Sequence, residues 1–101
     1  MVIQNTDAIF KFNIADITDN QVTLTEGMKI TLKIQRREFN DEISSNDFEC
    51  SIDMVNNVAY VLIEKEYFTT NTTHQFQLEI VTEKGSTYRS HLDSFFVCEG
   101  I

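Results

Sequence analysis

The chain has 101 residues, of which 42% are hydrophobic and 24% charged, with 8 Phe, 3 Tyr and neither Trp nor Pro. That length makes one domain burying roughly 65% of its unfolded surface, and the composition is that of a globular protein rather than a disordered one. The net charge of -8 repels a phosphate backbone, which argues against nucleic-acid binding. The basic pair Arg36-Arg37 runs straight into Glu38, Asp41 and Glu42, so no positive stripe attracts an anionic membrane.

The first periodic stretch covers about Ala8 to Ile14, where Phe10, Phe12 and Ile14 alternate with Lys11 and Asn13. Strand side chains point to opposite faces in turn, so the pattern reads as a half-buried strand. Asp16, Asp19 and Asn20 then favour a turn, because their side chains bond nearby backbone. A second strand is expected near Val22 and Leu24. Glu26-Gly27 interrupts the alternation before the long run Met28 to Arg36, with Met28, Ile30, Leu32 and Ile34 on one face.

From Arg37 to Asp47 the periodicity lapses among Asn40, Asp41, Glu42, Ser44, Ser45 and Asn46, which predicts a surface loop tucked down by Phe39 and Ile43. A strand from Phe48 to Met54 follows. Val55-Asn56-Asn57 then turns a hairpin into Val58–Ile63, the Asn pair suiting the positive φ that such turns require. Val58–Ile63 is apolar at every position, as expected of a strand covered on both faces or lying at an interface. Glu64 to Asn71 has room for one helical turn and no more.

His74 to Thr82 alternates again, Glu83-Lys84-Gly85-Ser86 turns, and Thr87 to Cys98 returns, forming the clearest hairpin of the chain. A strand about every ten residues predicts an all-β sandwich of about seven to eight mostly antiparallel strands in one domain, residues 1–101.

Chemistry-bearing constellations do not assemble along this pattern. Ser90-His91, and Ser94 beside Asp93, have the residue types of nucleophilic catalysis, but neighbouring strand residues face opposite ways, so no triad is expected. Cys50, His74, His91 and Cys98 are scattered singly, unlike the closely spaced ligands of zinc, and the two cysteines read as buried free thiols. Asp16 and Asp19, and Asp41, Glu42 and Asp47, lack the calcium-loop pattern and read as solvated loops. Glycines at 27, 85 and 100 are too few and too scattered for a phosphate-cradling loop. Asn71-Thr72-Thr73 matches a glycosylation acceptor but reads as an ordinary loop. The expectation is a protein without cofactor or metal, and not an enzyme.

The longest apolar run, Val58–Ile63, falls far short of the ~18 residues of a membrane-spanning helix, and no basic region followed by an apolar stretch opens the chain. Neither secretion by a signal peptide nor membrane insertion is expected. An interaction role makes contact surfaces the candidate site: Val58, Tyr60 and Leu62 on one face of the uniformly apolar strand first, then Tyr67, Phe68 and Phe95. Two other classes deserve comparison. A small acidic inhibitor of a host protein would cluster its carboxylates on one surface, and a carbohydrate-binding module would gather Tyr60, Tyr67 and Tyr88 into a platform.

The order of elements resembles the amino-terminal domain of the baseplate upper protein family of bacteriophages that infect Gram-positive bacteria. The likeness runs from Phe10-Lys11-Phe12-Asn13-Ile14 through Leu24-Thr25-Glu26-Gly27-Met28-Lys29-Ile30 and a middle hairpin around Met54 to Ile63. It closes on Phe76-Gln77-Leu78-Glu79-Ile80, a Gly turn and Ser94-Phe95-Phe96-Val97, and so spans nearly the whole chain. It implies an immunoglobulin-like sandwich that works by docking to other tail and baseplate proteins or to copies of itself. The expected place is the virion, or the cytoplasm of the infected host. No stalk, coiled coil or head follows Ile101 in this sequence, so the expectation is an excised domain or a small relative, and receptor binding by this segment is not expected.

Overall fold

The computed structural model describes residues 2–14, 23–37, 42–68 and 72–98. Nine strands run through them: β1 (Val2–Ile3), β2 (Ala8–Asn13), β3 (Lys29–Arg37), β4 (Ile43–Glu49), β5 (Ser51–Asp53), β6 (Val58–Ile63), β7 (Thr73–Val81), β8 (Thr87–Arg89) and β9 (Asp93–Cys98). They form two sheets. The larger has the order β1-β9-β7-β3-β4 with β8 also on β7, and the smaller is β2-β6-β5. All pairs are antiparallel except β1 with β9, which is parallel.

This is the immunoglobulin-like sandwich. The smaller sheet reproduces strands B, E and D, and β9, β7, β3 and β4 reproduce the G, F, C and C′ ladder of the variable-type domain. Antibody domains pin strands B and F together with a disulfide. Here a ring contact stands in that place, Phe12 of β2 lying 5.7 Å from Phe76 of β7, while Cys50 and Cys98 are both free. His74, two positions before Phe76, occupies the place of the tyrosine corner and is fully buried. Its Nδ1 lies 3.2 Å from the Thr72 carbonyl. A carbonyl only accepts, so that bond puts the proton on Nδ1.

Alternation decides what lies between the sheets. Ile30, Leu32 and Ile34 of β3, Leu78 and Ile80 of β7, Ala59 and Ile63 of β6, and Val97 of β9 are all buried. Leu32 sits in register between Phe48 of β4 and Leu78 of β7, at the middle of this core.

The expected hairpins are present. Met54 to Asn57 turns β5 into β6 with Asn57 at φ 55°, and Gly85, at φ 87°, turns β7 into β8. A short 3-10 turn, Lys65–Tyr67, supplies the one helical turn expected after Glu64. Three expectations need correction. The segment read as a loop from Arg37 to Asp47 contains β4, which pairs with β3 from Arg37↔Ile43 to Thr31↔Glu49. Its sequence lacks alternation because it is an edge strand whose ladder bonds, rather than a buried face, hold it, and Ile43 is exposed instead of tucked in. The strand read from Phe48 to Met54 is cut at Cys50, whose N–H still donates to Ile30 of the larger sheet while Ser51 already pairs with Tyr60 of the smaller. Thr23, Leu24 and Thr25 are not strand. Val22, Phe39, Asp16, Asp19 and Asp41 lie outside the described residues.

The returning strand is also cut, at Ser90-His91-Leu92. Ile80 faces Tyr88 and Phe76 faces Asp93, so four steps along β7 oppose five along its partner, and one residue bulges out. Ser90 repairs the ladder with its side chain. Its buried Oγ accepts the Leu78 N–H at 2.9 Å and donates to the His91 carbonyl, while its own N–H donates to the Leu78 carbonyl. Ser90→Ala would leave the Leu78 N–H buried without that acceptor. A loss of about 1–3 kcal/mol in urea unfolding is the expected result.

Candidate docking surface

The two outer faces of the sandwich differ in chemistry. On the larger sheet the outward side chains form polar rows across the strands: Glu49, Thr31, Glu79 and Arg89; Asp47, Lys33 and Gln77; Ser45, Gln35, Gln75 and Ser94. Lys33 lies between Asp47 at 4.0 Å and Glu79 at 3.8 Å, and Arg89 pairs with Glu79 at 3.1 Å. Acids and cations are interleaved here, and other described acids, Asp7, Asp53, Glu64 and Glu66, sit elsewhere on the molecule. On this face the carboxylates of Asp47 and Glu79 are paired with cations. Exposed apolar residues on the outside of this sheet lie near its two edges, Ile3, Leu92 and Phe96 toward the β1–β9 end and Ile43 on β4.

The smaller sheet carries an apolar column flanked by polar residues. Its outward residues are Ile9, Lys11 and Asn13 on β2, Leu62, Tyr60 and Val58 on β6, and Ser51 and Asp53 on β5, with Ile9 facing Leu62 and Lys11 facing Tyr60 in register. Ile9 is 63% exposed, Leu62 56% and Tyr60 41%, values that a packed face would not leave. The turn after β5 extends the patch with Met54 and Val55, both exposed, and a shallow depression of about 600 Å³ opens between Lys11, Ile52, Met54, Val55, Val58 and Tyr60. At its rim, the side chain and backbone amide of Asn56 and the Val55 amide bond the Asp53 carboxylate, and these bonds, that of the Asn56 side chain foremost, hold its pKa below the usual carboxylate value.

Of the residues singled out in sequence, Val58, Tyr60 and Leu62 therefore share one outward face. Tyr67, Phe68 and Phe95 do not join them. They belong to an aromatic cluster between the sheets, where Phe10 lies 5.2 Å from Phe95 and Tyr67 5.3 Å from Phe68, while His74 stacks on Phe95 at 4.9 Å. Phe68 is fully buried. It is drawn in because the 3-10 turn folds it back over β2, and Arg36 fixes that turn by donating to the Tyr67 carbonyl at 2.9 Å with its guanidinium 5.0 Å above the Tyr67 ring. The surface role expected for Phe68 is thereby corrected to a core role. Tyr60, Tyr67 and Tyr88 do not share a face either, since Tyr67 and Tyr88 pack against the core. Ile9, passed over in the sequence reading, was legible there: in a strand whose inward residues are Phe10, Phe12 and Ile14, an isoleucine at position 9 points outward.

Among the described residues no three His, Cys, Asp or Glu side chains converge as metal ligands, and no helix is long and apolar enough to cross a membrane. Burial pushes the Cys50 thiol up to about 11, with the Leu32 amide opposing and Glu49 adding to the shift. From 9.0 to about 11 the thiolate fraction at pH 8 falls about a hundredfold. Alkylation of Cys50 in the native protein is expected to run slower than in the urea-unfolded chain by at least that factor, as read by peptide mass spectrometry.

The fold and its outward faces define an immunoglobulin-like domain of variable-type sheet order whose smaller sheet exposes an apolar middle column. Comparison with protein-family models, with curated proteins and with solved structures finds no match to the chain.

Proposed function

We propose that this domain is a non-enzymatic docking module of a phage or prophage tail baseplate, acting in the virion by protein–protein contact with neighbouring tail proteins or with its own copies. The observation that carries the docking part is the outer face of the smaller sheet, where Ile9, Tyr60 and Leu62 stand exposed side by side. Apolar residues scattered singly need no explanation, but a contiguous apolar face on a small domain marks an interaction surface. The assignment to a baseplate rests on the resemblance of the sequence, from Phe10-Lys11-Phe12 to the Gly85 turn and its return, to the baseplate upper protein family, which implies an immunoglobulin-like fold.

Quantitative mass spectrometry of purified phage particles tests the reading. The expected result is this polypeptide at a few to tens of copies per particle, in fixed ratio to the major tail protein. Its absence from particles while abundant in infected cells would overturn the baseplate assignment and favour a small acidic inhibitor of a host protein.

A further inference from the structure

We infer that the outer face of the β2–β6–β5 sheet is covered by a second copy of this chain, the two faces stacking about a two-fold axis that runs along β6. The inference rests on reading that face as a docking surface and adds its occupant.

The layout of the face is self-complementary. Its middle column is apolar throughout, with Leu62, Tyr60 and Val58 on β6. The flanking strands carry opposite charges, Lys11 on β2 and Asp53 on β5, one row apart along the sheet. A two-fold axis along the middle strand lays β2 of each copy over β5 of the other and sets the apolar column against its counterpart. Each Lys11 then faces the partner's Ser51, one row from the partner's Asp53 and within reach of its carboxylate. An axis across the strands at the Tyr60 row would instead set Lys11 against the partner's Lys11. The first arrangement brings the two charges together and sets Tyr60 and Leu62 against their counterparts on the partner.

The size of the face sets the strength. Two strands of six residues and one of three, about 4.8 Å apart, present about 240 Å², well below the ~800 Å² per partner of a stable complex. The dimer is therefore weak, half-formed between roughly 10 μM and 1 mM, the range of small transient contacts. Net charge shapes it further, because each copy carries -8. Exposed ion pairs such as Lys11 with Asp53 contribute little, so repulsion between the two acidic bodies dominates the salt dependence. Raising salt from about 20 to about 300 mM shortens the screening length from about 20 Å to about 6 Å and is expected to tighten the dimer about tenfold or more.

Sedimentation equilibrium on the purified full chain, from about 5 μM to about 1 mM at both salt concentrations, tests this. The expected result is a monomer–dimer equilibrium strengthened by salt, weakened at least tenfold by Leu62→Glu and by no more than about twofold by Leu92→Glu on the opposite sheet, the small effect of one added charge. Thermal melts of both variants check that the fold is kept, and both substituted side chains are exposed. Monomer throughout the range at high salt would overturn the inference. So would a dimer indifferent to Leu62→Glu, or one weakened by salt. Monomeric protein that is nonetheless present in phage particles would sink the second copy as occupant and leave the baseplate reading standing.

Discussion

Phe68→Ala is expected to destabilise the domain by about 3–5 kcal/mol, a Tm shift of more than about 12 °C for a domain of this size. The size of the effect follows from the ring's position. Phe68 is fully buried and lies 6.2 Å from Phe10, 5.3 Å from Tyr67 and 6.2 Å from Phe95, so truncation opens a cavity that three rings line. None of those rings is free to collapse into it. Phe10 and Phe95 are held by their strands, and the turn carrying Tyr67 is held by Arg36. The same substitution in an interface residue would leave the isolated domain nearly unchanged. Leu62→Ala, on the outer face, is accordingly expected to stay within about 0.5 kcal/mol of wild type. Urea unfolding of the two variants side by side separates core from surface among residues that look alike in sequence.

Leu32→Ala carries the second large effect, about 2–5 kcal/mol. Leu32 is fully buried on β3, which pairs with both β4 and β7, and it faces Phe48 on one side and Leu78 on the other. A void there weakens contacts on both sides at once. The neighbouring Lys33 supplies the control. It approaches two carboxylates, at 4.0 and 3.8 Å, but its side chain is 42% exposed. Surface ion pairs of this kind contribute about 0–1 kcal/mol, so Lys33→Ala is expected to cost several times less than Leu32→Ala in the same urea titration.

How much of this was legible in the sequence depended on whether one face of a strand is covered. Strands β2, β3 and β7 each bury one side, so Phe10 to Ile14, Met28 to Ile34 and Phe76 to Ile80 announced themselves by alternation. The hairpin turns were equally plain, since Asn57 and Gly85 occupy positive φ. Strand β4 was hidden because an edge strand is defined by its backbone ladder, and Ser44, Ser45, Asn46 and Asp47 are polar on both sides. Strand β1 is two residues long and parallel to the last strand, a pairing that no local pattern encodes. The bulge at Ser90 was invisible for a similar reason: only the partner's register reveals the extra residue.

The candidate surface was half legible. A run that is apolar at every position, such as Val58–Ile63, says that neither face is suited to water, but not which face the fold covers. Sheet order decides that Ala59 and Ile63 point inward and that Tyr60 and Leu62 do not. Tyr67, Phe68 and Phe95 misled because aromatic residues at the ends of elements serve cores and interfaces equally well. The fold draws them inward through a turn and an Arg contact that sequence spacing does not show.

The docking role proposed for the outer face of the smaller sheet requires that this face be covered in an assembly. Hydroxyl-radical footprinting of intact tail particles, read against the dilute isolated protein, addresses it directly. The predicted result is several-fold protection of Tyr60 and Met54 in the particle, with Leu92 on the opposite sheet as reactive as before. Tyr60 and Met54 remaining as reactive in the particle as in the isolated protein would contradict it.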